Sequence, residues 1–425
     1  GSDMLDLNLF LHEMGLLLHF LPAQAHPWDS ERLLVLGEVL ERHLLPQLHT
    51  EFKRELMRLS KEAIIQESAQ QFQRMLSVGP YRPSHVTAFD VLKSCPVRPT
   101  YCTVASIFLP TEGRDAIFFA FVDRDGLVRA HDLLPGKMSK QKKQKIRDFL
   151  KASQPDVVVI NTGAGQVAKS TKDMIEKYLV TEVQDLLAAE RAAAREERRG
   201  RNRYNHGYDD EFDEDEDEDE DEAVFSPDVL LVQDDVARIF GSSTRAKKMF
   251  PEILPGGASA ICLARFVQDP LAEYANMWTS ADSIGFFGYE SFFLDIHPLK
   301  DLVQRAKVPL LRALERCLVN AVCDVGVDVN MAVSHDHLAG PLAFVAGLGL
   351  RKADALRSNI KNVLGFVSSR RELFERKLMG RVVYTNAAGY LRVCDNGLGE
   401  LQLDPLDDTR VHPECYVQHD FAPKI

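Results

Sequence analysis

The sequence has no run of about 18 uncharged apolar residues, the length a helix needs to cross a bilayer, and a spanning helix is therefore excluded. Its apolar clusters at 16–21 and 117–122 are far too short. Paired cysteines are missing as well. Cys95, Cys102, Cys262, Cys317, Cys323, Cys394 and Cys415 are odd in number and scattered, with no C-x-x-C pair. That excludes a zinc ribbon or a disulfide framework and favours a reducing compartment. A charge field of one sign is also absent once its source is located. The formal charge is −12, but residues 209–222 hold 13 acidic residues in 14 positions, broken only by Phe212. Without them the chain stands at about +1. No global basic field demands nucleic acid, and no global acidic field repels it.

What is present fits a globular protein. With 425 residues, 45% hydrophobic and 27% charged, wholesale disorder is excluded and two to four domains are expected. Residues 1–4 read as a remnant of tag cleavage, and the rest as a piece of a longer protein.

Residues 5–78 read as helical, with apolar series at Leu33, Leu36, Leu40, Leu44 and at Phe52, Leu56, Leu59, Ala63, Ile64. Gly79 and Pro80 stop this segment, and Pro83, Pro96 and Pro99 mark a connector. Strands follow at 101–108, 116–122 and 127–134, rich in Val, Ile and Phe. Asp123-Arg124-Asp125-Gly126 joins the second and third as a hairpin turn. A polar helix is predicted over 139–152, and a buried strand over 156–160. Another helix is predicted from Thr171, a strand over 228–232, and helices around 234–240 and 258–267. Three meandering strands followed by α-β-α-β-α is the element order of an RNase H-like fold. The acidic stretch, taken as 196–224, reads as a disordered insertion within this domain.

Beyond Pro270 the chain is helical again. Pro309 suits a first helical turn, Gly326 a C-terminal cap, and Leu310, Leu314, Cys317, Leu318 and Ala321 one apolar stripe. Gly347-Leu348-Gly349 between two short helical segments makes a helix-hairpin-helix, and Ser369-x-x-Glu372 fits the capping box of a second.

Several stretches carry a resemblance. They are Asp282-Ser283-Ile284-Gly285, Asn320-Ala321-Val322, Val325-Gly326-Val327-Asp328-Val329-Asn330, Gly347-Leu348-Gly349 with Lys352-Ala353, and Val411-His412-Pro413-Glu414-Cys415-Tyr416. Together they resemble the core of the bacterial Tex proteins and their eukaryotic relatives, the Suppressor-of-Ty-six transcription elongation factors and histone chaperones. The acidic insertion favours the eukaryotic branch. The resemblance implies a multidomain α + α/β chain. Its parts are a helical region at 5–97, an RNase H-like YqgF domain at 98–270, linker helices with a helix-hairpin-helix domain at 271–405, and the start of a death-like domain at 406–425. It further implies a nuclear protein that works with the RNA polymerase II elongation complex and histones, without a membrane.

Catalysis by an RNase H-like fold requires carboxylates converging on divalent metal. The first strand offers Val104-Ala105-Ser106, the fourth ends in Asn161-Thr162-Gly163, and the last helix carries Ala258-Ser259-Ala260. None supplies an acid, so no catalytic residue, metal or cofactor is expected. A groove lined by Ser106, Asn161 and Ser259 would accord with a scaffold. Asp123 and Asp125 read as turn residues, and Asp234 and Asp235 as helix-capping groups or, alternatively, a displaced metal pair. His335 and His337 beside Asp336 read as a polar helix start rather than a metal site. Lys140, Lys142, Lys143 and Lys145 read as a solvated helix face or, alternatively, as a contact for nucleic acid or a partner.

The best ligand candidate is the hairpin. Gly347 and Gly349 let a backbone approach closely, the following helix offers unpaired N–H groups, and Arg351 and Lys352 add charge. Sequence-independent, salt-sensitive contact with DNA or RNA is one expectation; the alternative is a packing unit, a role that Leu348 and Leu350 would suit. The leading reading is a non-enzymatic scaffold of a transcription elongation factor. Two alternatives stand beside it: a divergent metal-dependent nuclease acting on structured nucleic acid, and a protein-interaction platform with no nucleic-acid affinity. The acidic run reads as a solvated insertion, or as a weak site for basic partners such as histones.

Overall fold

A computed structural model describes residues 29–83, 102–110, 116–136, 140–205, 225–279, 290, 293–303, 307–394 and 404–416. The expectations for residues 5–28, for the acidic run 209–222, for Asp282-Ser283-Ile284-Gly285 and for 417–425 fall outside the described residues. The chain divides into two units, Gly1–Ile64 and Ile65–Ile425.

The first unit carries α1 (Asp29–Val39), a π-helical turn (Leu40–Leu44) and the start of α2 (Leu45–Leu76). The wide turn has a local cause. Pro46 has no N–H to donate and its ring crowds the preceding carbonyls, so the helix opens just before it and Leu45 N–H reaches back to the Leu40 carbonyl. Of the two apolar series, Leu40 and Ile64 are buried, whereas Phe52, Leu56 and Leu59 are exposed.

In the second unit, β1 (Val104–Phe108), β2 (Ile117–Val122), β3 (Val128–Leu134), β4 (Val157–Asn161) and β5 (Asp228–Val232) form one mixed sheet in the order β3-β2-β1-β4-β5. β1 pairs antiparallel with β2 and parallel with β4, and β4 pairs parallel with β5. This is the RNase H-like arrangement that the element order predicts. The central strands β1 and β4 are buried along their whole length, which is why they read as unbroken apolar runs. One face packs on α3 (Lys140–Ser153), α4 (Gln166–Met174) and α5 (Val180–Asn205) through Ile146, Leu150, Ala168, Val183 and Leu187.

The other face carries α6 (Asp235–Ser242), α7 (Thr244–Met249) and α8 (Pro255–Gln268). Helix α8 is built mainly of small and apolar residues and is buried along most of its length, with its buried Arg265 and Gln268 satisfied by backbone carbonyls. Gly256 lets it lie against Phe118, where a side chain would overlap the ring. The helix predicted from Thr171 begins at Gln166, passes through a π turn (Ile175–Leu179) and continues as α5. Residues 196–205, read as part of a disordered insertion, are therefore helical, because the Ala-, Glu- and Arg-rich stretch propagates the helix.

α9 (Pro270–Thr279) and α10 (Lys307–Val325) lead into the third module. The Val325-Gly326-Val327-Asp328-Val329-Asn330 motif has a structural role at nearly every position. Gly326 ends α10 at φ +82° and donates to the Val322 carbonyl. Val327–Asp328 forms β6, paired parallel with β7 (Leu391–Arg392). Asp328 caps α11 (Val329–Ser334) by accepting from the N–H groups of Asn330 and Met331. Buried Asn330 exchanges two hydrogen bonds with the Val367 backbone. Then follow α12 (Leu350–Val363), α13 (Glu372–Glu375) and α14 (Arg381–Ala387). The Val411–Tyr416 motif lies against this module: His412 Nε2 sits 3.0 Å from the Thr385 carbonyl, and the Tyr416 hydroxyl donates to Asp407 at 2.7 Å.

Candidate nucleic-acid interface

The first hairpin brings all four sequence-predicted residues into one turn. Leu348 is buried and anchors it. Gly347, at φ +91°, lies against α14, where a Cβ would come within 2.8 Å of the Asn386 Cβ. Glycine is needed there both for the left-handed backbone and for the close approach. Gly349, at φ +83°, faces open space, so the outer side of the turn is accessible. It is the N-cap residue of α12 and provides no side-chain cap, so the first-turn N–H groups of that 14-residue helix have no side-chain acceptor among the described residues. Arg351 and Lys352 are exposed, and the Lys352 ammonium donates to the Gly347 carbonyl at 3.1 Å, holding its charge over the turn.

The second hairpin lies further along than its predicted cap suggests. Glu372 accepts from the N–H and hydroxyl of Ser368, one residue before the predicted partner, while Ser369 receives only a 3.4 Å contact from Glu372 N–H. The turn itself is Leu378-Met379-Gly380, closed by two N–H bonds to the Leu373 carbonyl. It presents exposed Gly380 and Arg381. Sequence reasoning missed these residues; a lone glycine before a short helix was the only signal.

The RNase H-like module presents a different picture where its carboxylates would stand. Ser106 is buried and donates to the Ala260 carbonyl at 2.7 Å, and Ser259 is buried and donates to the Pro255 carbonyl. Asn161 is buried, accepts from Leu109 N–H at 2.7 Å and donates to the Leu109 carbonyl and to Asp234. The three therefore line no shared groove; each is consumed by internal bonding. Asp234 corrects the capping expectation. Its side chain makes no cap bond, because it turns inward to Asn161 Nδ2 at 3.1 Å with Arg238 Nε at 3.6 Å. Asp235 pairs with Arg238 at 2.6 Å, and Asp123 is the turn residue expected, accepting from Asp125 and Leu127 N–H. Among the described residues no group of three His, Cys, Asp or Glu side chains converges as a metal site would require.

His337 also departs from expectation. It does stand in a short helical turn, Asp336–Leu338, but its ring is buried under the β2–β3 turn, where a Cβ on Gly126 would overlap it, beside Arg265, whose Nε donates to the Gly126 carbonyl at 2.9 Å. Burial, with the Arg265 charge adding to it, pulls its pKa down to about 3. Of the Lys140 run, Lys140, Lys143 and Lys145 are exposed as expected, while Lys142 donates to the Gly136 carbonyl.

Two family models match parts of the chain. Residues 199–278 match the family model described as Holliday-junction resolvase-like of SPT6, and residues 290–394 match a helix-hairpin-helix motif model. The chain is similar to a transcription elongation factor SPT6-like protein of Arabidopsis thaliana, 25% identical over 92% of the chain and 27% of the relative. The transcription elongation factor spt6 of Aspergillus fumigatus is 29% identical over 94% of the chain and 26% of its own length. That of Emericella nidulans is 30% identical over 85% and 23%. The chain thus spans about a quarter of the length of the curated relatives it matches.

Proposed function

Because the chain belongs to the SPT6 family of transcription elongation factors, we propose that it is the non-enzymatic core of a nuclear elongation factor and histone chaperone acting on chromatin with RNA polymerase II. Its RNase H-like module spans 98–270, its hairpin module 271–405, and a death-like domain begins at 406. The hairpin at Gly347, Gly349, Arg351 and Lys352 makes sequence-independent contact with DNA or RNA. Elongation comes from the names of the relatives, and histones and polymerase from the family resemblance. What the residues themselves supply is the hairpin: an open glycine, uncapped N–H groups and two exposed cations on one turn.

The absence of catalysis is supported by Ser106, Asn161 and Ser259 standing, fully bonded, where an RNase H-like nuclease needs acids. The test is binding to labelled single-stranded, duplex and branched DNA and RNA with Mg²⁺ or Mn²⁺ present. Intact, retarded substrate is expected, with affinity falling steeply as salt rises. Arg351→Gln with Lys352→Gln should reduce the slope of log K against log salt for duplex by about 2, roughly one per lost cation. Metal-dependent cleavage abolished by Asp234→Asn would overturn the non-enzymatic reading. An unchanged slope would remove the hairpin.

A further inference from the structure

A cleft of about 370 Å³ separates α7 of the RNase H-like module from α12 of the hairpin module. Leu350, the first residue of α12 and the neighbour of Gly349 in sequence, is among the residues that line it. Its cations are of two kinds. Arg357 is committed to Asp336 and the Ala332 carbonyl, and Arg245 to Glu273 at 3.2 Å with its guanidinium 4.5 Å from the Phe240 ring centroid. These belong to the framework. Lys248 lines the cleft on the α7 wall, whereas Lys247, its neighbour in sequence, lies outside the lining; both are exposed and make no ion pair among the described residues. Across the cleft stands Asp354, exposed and likewise without an ion pair among the described residues.

This set of groups selects a ligand. An uncommitted lysine in the cleft, with a second exposed next to it in sequence, calls for an anionic backbone. An uncommitted carboxylate opposite them calls for a donor on the same molecule, such as a sugar hydroxyl or an exocyclic amino group. An acidic peptide offers the first without the second along its side chains. The volume suits a short stretch of one strand, not a duplex.

We propose that the α7–α12 cleft is a second contact for a single nucleic-acid strand, whose backbone leaves the hairpin turn and continues past Lys248 and Lys247 with Asp354 on its other side. The strand's path rests on the hairpin reading; the cleft's own affinity does not.

The test measures anisotropy of labelled single-stranded DNA, single-stranded RNA and duplex against the whole chain across a salt series. It compares wild type, Lys247→Gln/Lys248→Gln and Arg351→Gln/Lys352→Gln, after circular dichroism shows each variant folded. The α7 pair is expected to lower the single-strand salt slope by about 1.4, two cations at about 0.7 each, and to leave duplex unchanged. A single-strand slope equal to wild type would overturn the cleft. If only the hairpin pair is silent, the hairpin reading falls and the cleft stands; if wild type binds nothing, both fall. Oligoglutamate of equal charge competing as well as the strand would overturn the nucleic-acid assignment. An effect on RNA alone would give Asp354 the 2′-hydroxyl, and an equal effect on both strands would give it a base edge.

Discussion

Arg370→Met is expected to destabilise the hairpin module by about 3–5 kcal/mol, the usual cost of leaving one partner of a buried ion pair alone. Arg370 and Asp407 are both almost fully enclosed, at 0% and 2% exposure. The guanidinium is bound to Asp407 at 3.1 Å, to the Ala388 carbonyl at 2.9 Å, and to the Leu406 carbonyl and the Tyr416 hydroxyl. Asp407 in turn accepts from the Arg370 N–H and from Tyr416. One side chain thus ties the link before α13 to residues 388, 406 and 416. Methionine keeps most of the volume and strands the carboxylate. The double variant Arg370→Met/Asp407→Leu removes both charges and should recover part of the loss. Urea unfolding followed by protease protection of the 307–416 region would measure it; equal stability of single mutant and wild type would refute the network.

The second large effect concerns the contact between Gly126 and His337. Gly126→Ala meets the imidazole and places a side chain at φ +77°, so the turn and the ring cannot both keep their positions. His337 also makes the contact depend on pH. Its folded pKa of about 3 lies below the ordinary 6.5, so the folded chain holds the ring neutral while the unfolded chain protonates it. The unfolded state then binds more protons, and stability rises with pH across that interval. The full contribution is present above about pH 6.5 and is lost progressively down to pH 3, to a limit of about 4–5 kcal/mol at 1.36 kcal/mol per unit. Carboxylates titrate in the same range, so the informative quantity is a difference. His337→Gln should show a flatter fall in melting temperature between pH 6.5 and 4 than wild type, and parallel curves would count against the assignment.

The sheet was readable because its signals are local. Alternating or unbroken apolar runs bounded by turn residues located β2, β4 and β5 to within a residue, and Asp123 to Gly126 marked their own hairpin. The hairpin glycines were readable for the same reason, since positive φ leaves its mark at one position. Asp234 and His337 were misread because their partners lie far away in sequence. Asp234 stands before a helix and looks like a cap, but its backbone, at φ −108° and ψ 9°, aims the carboxylate at Asn161. His337 sits in a polar stretch, and only the packing of the β2–β3 turn buries it. Arg370 gave no local sign at all, because an arginine in a polar segment looks solvated until Asp407 arrives from 37 residues away.

The short pairing of β6 with β7 bears on how such a chain can change. Being parallel, Val327–Asp328 and Leu391–Arg392 carry the backbone in the same direction, about 4.8 Å apart. Both hairpins are therefore an excursion from which the polypeptide resumes its former heading, one strand's width to the side. Insertions or deletions between the two strands that spare Arg370 and Thr385, which hold residues 406–416, need not re-aim whatever precedes or follows, so the rest of the excursion is free to diversify its surface while its neighbours keep their course.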